Sequence, residues 1–209
     1  MDADLKSDLL FFGLLTVGGI TTAVGVYLLI KRYFPLGKVS FNGQERTLTE
    51  EDKLWAARMV VGETGGDDPQ SNAAVLWSVL TRWLTKPSLQ GMSWAQVMRA
   101  FSQPINPQWA DASAPGCTRQ PSACTETNLA RRRQITSMPW SSIPQSVRDQ
   151  VEAFARGRVA NPIPGLNNFA AAGAIGGSQL SSSELPPRTI GGNTFIRDPG
   201  SLQGEVRFV

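Results

Sequence analysis

The stretch Ala56-Ala57-Arg58-Met59-Val60-Val61-Gly62-Glu63-Thr64-Gly65-Gly66 decides how this chain is read. It ends a helical pattern on an acid. Glu63 has apolar residues on its helix side and a glycine turn beyond it. Such surroundings raise a carboxyl pKa and leave the group open to a cleft, which is what a general acid needs. The chain also lacks histidine altogether. That excludes Ser-His-Asp and Cys-His nucleophilic schemes and His-ligated zinc hydrolases. Carboxylate chemistry is what remains for an enzyme built on this chain, with no metal and no cofactor expected.

Helical signals run outward from this stretch. Thr49 caps a first helix whose opening turn carries Glu50, Glu51 and Asp52, acids that complement the helix dipole. Asp68 caps a second, with Pro69 at its first position. Ala73, Leu76, Trp77, Leu80 and Leu84, together with Val75, Val79 and Trp83, make this second helix apolar over most of its circumference, so it belongs in the core. Ser93 and Gln96 form a capping box for Trp94 to Phe101. Residues 103–124 read as loop, Asn128 to Thr136 as helix, and Pro144 opens a helix that stops at Gly157. Ala174 to Asn193, rich in Gly, Ser and Pro, reads as a long loop or lid. Thr194 to Arg197 and Glu205 to Val209 are short strand candidates.

The 209 residues suit one domain plus an appendage. With 41% hydrophobic and 18% charged residues the composition is globular, and the net charge of +3 is spread along the chain. This argues against nucleic acid as a partner and suits an anionic polymer such as a cell wall. Leu9 to Ile30 contains no charge and, as a helix, would be about 33 Å long, enough to cross a bilayer. Its start is acidic, unlike that of a cleaved signal peptide. The expected organisation is a polar tail over 1–8, a transmembrane helix over 9–30, a linker over 31–48 and a folded domain over 49–209. Lys31, Arg32 and Lys38 follow the span and only Lys6 precedes it, which orients the domain to the cytoplasmic side. Gly18, Thr22 and Gly25 share one face of the span, where other membrane or virion proteins can pack. Cys117 and Cys124 stand close enough to close a small disulfide loop in an oxidising compartment; two free thiols are the alternative.

Several short motifs occur in order: Glu63-Thr64-Gly65, an Ala-Ala-Val helix, Phe101-Ser102-Gln103-Pro104, Asn161-Pro162, Asn167-Asn168-Phe169 and Ile190-Gly191-Gly192-Asn193-Thr194-Phe195. Over residues 52–198 this order resembles the cell-wall hydrolase family that includes the spore cortex-lytic enzymes, which are similar in fold to lysozymes and lytic transglycosylases. The chain departs from that family in having Glu63-Thr64-Gly65-Gly66-Asp67, closer to the Glu-Ser-Gly of transglycosylases. It also has Asn193 where the family often carries His. The resemblance implies a domain that is α+β, mainly α, and lysozyme-like. It implies Glu63 as catalytic acid and peptidoglycan glycan strands as substrate. Thr64, Ser102, Gln103, Asn106, Trp109, Asn168, Asn193 and Phe195 are the candidate substrate contacts, with amides and hydroxyls for N-acetyl groups and an indole for a sugar face. An ordinary packed loop is the alternative for the Ser102 to Trp109 segment.

A hydrolase needs a second carboxylate, whereas a lytic transglycosylase uses the sugar's own 6-hydroxyl. Downstream acids are scattered, which favours the transglycosylase; Asp67 and Asp68 are the nearest candidates for a second carboxylate, with N-capping the plainer role for Asp68. Arg131-Arg132-Arg133 suits either the acidic peptides of murein or a solvated helix face. The expected protein is therefore a single-pass membrane enzyme that degrades murein. Its setting is either a virion membrane, from which it would serve cell entry, or a bacterial inner membrane with the domain in the periplasm. A catalytically inactive, structural or glycan-binding lysozyme-like membrane protein is the rival.

Overall fold

The computed structural model describes residues 36–209. The expected tail over 1–8 and span over 9–30 lie outside the described residues. Among those described, no helix is long and apolar enough to cross a membrane. Residues 37–209 form one unit of mixed α+β structure in which helix predominates.

The expected linker is corrected by its own residues. Lys38–Phe41 (β1) and Gln44–Thr47 (β2) form an antiparallel hairpin. Its turn is Asn42-Gly43, both at positive φ (49° and 79°), the pairing that two-residue hairpins select. Val206–Phe208 (β6) joins the other edge of β1, giving the order β2–β1–β6. Val39 and Phe41 are buried, so this segment carries part of the core and the domain begins near Gly37 instead of residue 49.

Helix α1 spans Glu50–Thr64 behind a capping box between Thr49 and Asp52. Asp52 is buried, and its Oδ1 also accepts from Ala95 N at 2.7 Å, which fixes the next short helix against α1. Helix α2, Pro69–Thr85, starts at Asp68 as expected and is buried along nearly its whole length. Helix α3 is Trp94–Phe101, capped by Ser93 and Gln96. Residues 103–124 contain three 3-10 turns, Gln103–Ile105, Pro107–Trp109 and Pro121–Ala123, and a short α4 at Pro115–Arg119. There Cys117 and Cys124 are joined in a disulfide, their Cα atoms 5.5 Å apart. Helices α5, Glu126–Ser137, and α6, Gln145–Ala155, pack on α1.

A second antiparallel sheet is formed by Asn168–Ala171 (β3), Arg188–Ile190 (β4) and Asn193–Ile196 (β5), in the order β3–β5–β4. The expected lid over 174–193 thus contains β4 and the short helix α7, Gly177–Ser181. Phe154 of α6 is the hub of the core. Its ring meets Trp77 at 5.3 Å and Phe208 at 5.5 Å edge-on, and stacks on Trp94 at 5.7 Å. Phe208 of β6 therefore ties the hairpin sheet to α2 and α6.

Removal of the hairpin gives a direct test. Burial of an apolar side chain the size of Val39 or Phe41 contributes about 1.5–3 kcal/mol. A chain of residues 37–209 is expected to unfold cooperatively by circular dichroism. A chain of residues 49–209 is expected to melt far below it or to show no transition, and equal transitions would exclude the hairpin from the domain.

Candidate active site

Glu63 stands on the last turn of α1, where the helix runs against the 3-10 turn Gln103–Ile105. Gly62 makes the approach possible: a Cβ there would lie 2.5 Å from Pro104 Cβ. This close contact brings Ser102, the C-cap of α3, to the acid. Ser102 is buried and its hydroxyl donates to Glu63 Oε1 at 2.8 Å. Glu63 itself is half-buried. Burial pushes its carboxyl above the ordinary value, and the Ser102 hydrogen bond opposes that rise without cancelling it.

Glu63 opens into a cleft of about 650 Å³. One wall is the end of α1 and the start of α2, with Thr64, Asp68 and Ser71. The facing wall is Phe169 to Ala171 of β3 with Gly191, Gly192 and Asn193 at the β4–β5 turn. Phe101 and Gln103 close the side near Ser102. The Phe101 ring is 45% exposed and rests on the Arg82 guanidinium, 4.1 Å from the ring centroid. Arg82 is in turn held by Asp198 at 2.7 Å, so the aromatic face is backed by a fixed cation.

A second acid shares the cleft and is shifted in the opposite direction. Asp68 accepts from the Ser71 hydroxyl and from Gln70 N, and these hydrogen bonds, with Ser71 the largest, hold its carboxyl below the usual range. The cleft therefore holds two acids whose surroundings push their pKa values apart, Glu63 up and Asp68 down.

The structure gathers some of the expected site residues and disperses others. Glu63, Thr64, Gln103 and Asn193 line the cleft, and Ser102 stands directly behind the acid. Thr64 also holds the turn: its hydroxyl lies 2.8 Å from Val60 O, contacts Asn72 Oδ1 and accepts from Gly66 N at 3.1 Å. The other four expected contacts are not among the residues that line the cleft. Asn106 caps the next 3-10 turn, donates to Ala100 O and lines a separate cavity. Trp109 has the Arg132 guanidinium 5.5 Å from its ring centroid and does not line the cleft. Asn168 turns its amide to Asp198, away from the cleft, and Phe195 is fully buried against Phe169. Phe195 shares the face of its cross-strand partner Phe169, whose ring covers it, and Asn168 is held at the far end of β3 by its bond to Asp198. Asp68, Ser71, Phe101 and Phe169 are among the cleft residues that the motifs did not single out as contacts, although Phe101 and Phe169 stand inside quoted motifs. Of the Arg131-Arg132-Arg133 run, Arg132 is buried and its neighbours are exposed.

Comparisons with protein-family models, curated proteins and solved structures find no match to this chain.

The Ser102 contact has a signed consequence. Its hydrogen bond favours the ionised Glu63, so Ser102→Ala raises the Glu63 pKa further. Chemistry that needs the protonated acid is present below that pKa and lost as pH rises through it. The alkaline limb of a pH–rate profile is expected to move to higher pH in Ser102→Ala. A limb that stays in place or moves down would show that Ser102 does not act on the acid.

Proposed function

We propose that this chain is a membrane-anchored, lysozyme-like enzyme that cleaves the glycan strand of peptidoglycan, acting as a lytic transglycosylase. The observation that carries the reading is Glu63: a half-buried carboxyl, raised in pKa, on the wall of a cleft large enough for sugar rings. The ordered motifs around it support the same substrate class. Ser102 occupies Oε1, which leaves Oε2 to carry the proton. In the reaction, Oε2–H protonates the bridging oxygen and the C1–O bond breaks with oxocarbenium character at C1. The leaving strand takes the proton. The Glu63 carboxylate then removes the proton of the sugar's 6-hydroxyl, whose oxygen bonds to C1 and closes a 1,6-anhydro ring. Glu63 ends protonated, ready for the next bond. Phe101 offers its exposed face to a pyranose, and Asn193 and Gln103 offer amides to N-acetyl groups.

In this reading residues 9–30 anchor the enzyme in a membrane. The charges flanking that segment suit delivery from outside by a virion; a bacterial inner membrane with the domain in the periplasm is the other setting.

Asp68 favours a second reading. An ionised carboxylate in the same cleft is what a hydrolase needs to activate water or to meet C1. The two are separated by product ends and by Asp68→Asn, a substitution that keeps a good N-cap. Mass spectrometry of digested murein is expected to show 1,6-anhydro ends, with Asp68→Asn active within a few-fold of wild type. Reducing ends together with loss of activity in Asp68→Asn would make the enzyme a hydrolase.

Glu63→Gln is expected to abolish murein clearing in a zymogram, by at least about 10²-fold, while leaving the circular dichroism unchanged, because the amide has no catalytic proton. Activity within a few-fold of wild type would remove Glu63 from the mechanism. An inert wild-type chain that still binds murein would leave a glycan-binding protein.

A further inference from the structure

Behind the Ser102–Gln103 wall of the cleft is a second cavity of about 240 Å³, lined by Trp55, Arg99, Pro104, Ile105, Arg132 and Arg133 among others, with no acid among its lining residues. Its charge is left unbalanced. Arg99 and Arg58 lie on the Trp55 ring, at 4.7 and 4.5 Å from its centroid. Among the described residues neither has a carboxylate partner, and Arg99 Nε is buried with no hydrogen-bond acceptor. Burial, and after it the charge of Arg99, hold the Arg58 guanidinium below its ordinary value. Arg132, also buried, donates to Trp109 O at 3.3 Å, and Arg133 pairs with Glu126 at the exposed rim. Like charges gathered around an indole, with a buried donor unused, are a cost that an incoming anion would relieve.

We infer that this cavity binds a carboxylate of the peptide carried by the glycan strand, with Arg99 as its principal donor and Trp55, Pro104 and Ile105 as the apolar floor. The inference rests on the proposed substrate and deepens it. The position of the cavity supports it: Gln103 lines the catalytic cleft and the next residues, Pro104 and Ile105, line this cavity, so a substituent passing over Gln103 reaches Arg99. The apolar floor favours an anion attached to an aliphatic chain, as in a peptide of alanine and acidic residues, over a bare inorganic anion. The site would make peptide-bearing strands better substrates than bare glycan.

The test uses the full-length chain, in wild-type and Arg99→Gln forms. The ligands are a peptide-bearing murein tetrasaccharide, the same compound with its peptide carboxylates amidated, and a peptide-free N-acetylglucosamine oligomer. Binding is measured in the Glu63→Gln background, so that no ligand is consumed. Arg99→Gln is expected to weaken binding of the free-carboxylate ligand about tenfold, the loss of one charge-assisted hydrogen bond. It should leave the amidated and peptide-free ligands unchanged, and Arg99→Lys should recover part of the loss. Equal binding of all three ligands by wild type and Arg99→Gln would overturn the inference, as would inorganic phosphate displacing the peptide-bearing ligand at equal concentration. Cleavage of murein by wild type, assayed separately, keeps the two proposals distinct. Cleavage without any Arg99 effect sinks only this inference. An Arg99 effect in a chain that does not cleave sinks only the proposed reaction.

Discussion

The turn that ends α1 is the constraint on which the site depends. Gly65 and Gly66 adopt left-handed backbone (φ 75° and 90°), so the helix stops one residue after Glu63 and the chain reverses into α2. Asn72 locks the reversal. Buried in α2, it contacts Thr64 Oγ1 and donates to Gly66 O at 3.0 Å and to Gln150 Oε1 of α6 at 2.8 Å. Three helices are thereby tied to one two-residue turn. A buried amide with its partners satisfied this way gives a rigid seat for the acid beside it. The seat is also why Asp68 faces the same space: it caps the helix that begins where the turn ends.

The electrostatics follow from this placement. Glu63 is on the helix side of the turn, shielded by α3 and the 103–105 segment, and burial raises its carboxyl pKa. Asp68 is on the open side, where the Ser71 hydroxyl and backbone N–H groups hold it ionised. Two acids a few residues apart thus acquire opposite character from local hydrogen bonding and solvent access alone, the division of labour that glycosidic bond chemistry uses. The sheet β3–β5–β4 supplies the facing wall, and its attachment is polar: Asn167 donates to Thr85 Oγ1 and Ser201 Oγ at 3.1 and 2.7 Å, while Arg82 and Lys86 both reach Asp198. Aromatic and charged layers therefore support the cleft from behind, with Arg82 joining the sheet's anchor at Asp198 to the exposed ring of Phe101.

Helices were legible in the sequence because their signals are local. The caps at Thr49, Asp68 and Ser93 and the stop near Gly157 all stand where side-chain chemistry alone puts them. The position of Glu63 at a helix end was legible for the same reason, because Gly65 and Gly66 stop the helix just beyond it. The hairpin over 38–47 was missed although Asn42-Gly43 is a strong turn signal. Its strands are short, β2 is polar, and the strand that completes the sheet lies at the other end of the chain. The cleft contacts were half legible. Gln103 and Asn193 could be found from motif position, but Trp109, Asn106, Asn168 and Phe195 share those motifs and point elsewhere, because facing depends on strand register and on loop packing that no local rule fixes. Asp68 was readable as a cap and as one of two nearby candidates for a second carboxylate; the fold has it both cap α2 and line the cleft.

The central claim is that burial raises the Glu63 carboxyl pKa above that of an ordinary carboxylate. Carbon-13 NMR titration of side-chain carboxyls, with the Glu63 resonance assigned by its loss in Glu63→Gln, reads this directly. The expected result is one glutamate carboxyl that titrates clearly above the others and rises further in Ser102→Ala. A Glu63 resonance that titrates with the exposed glutamates, or below them, would contradict the account.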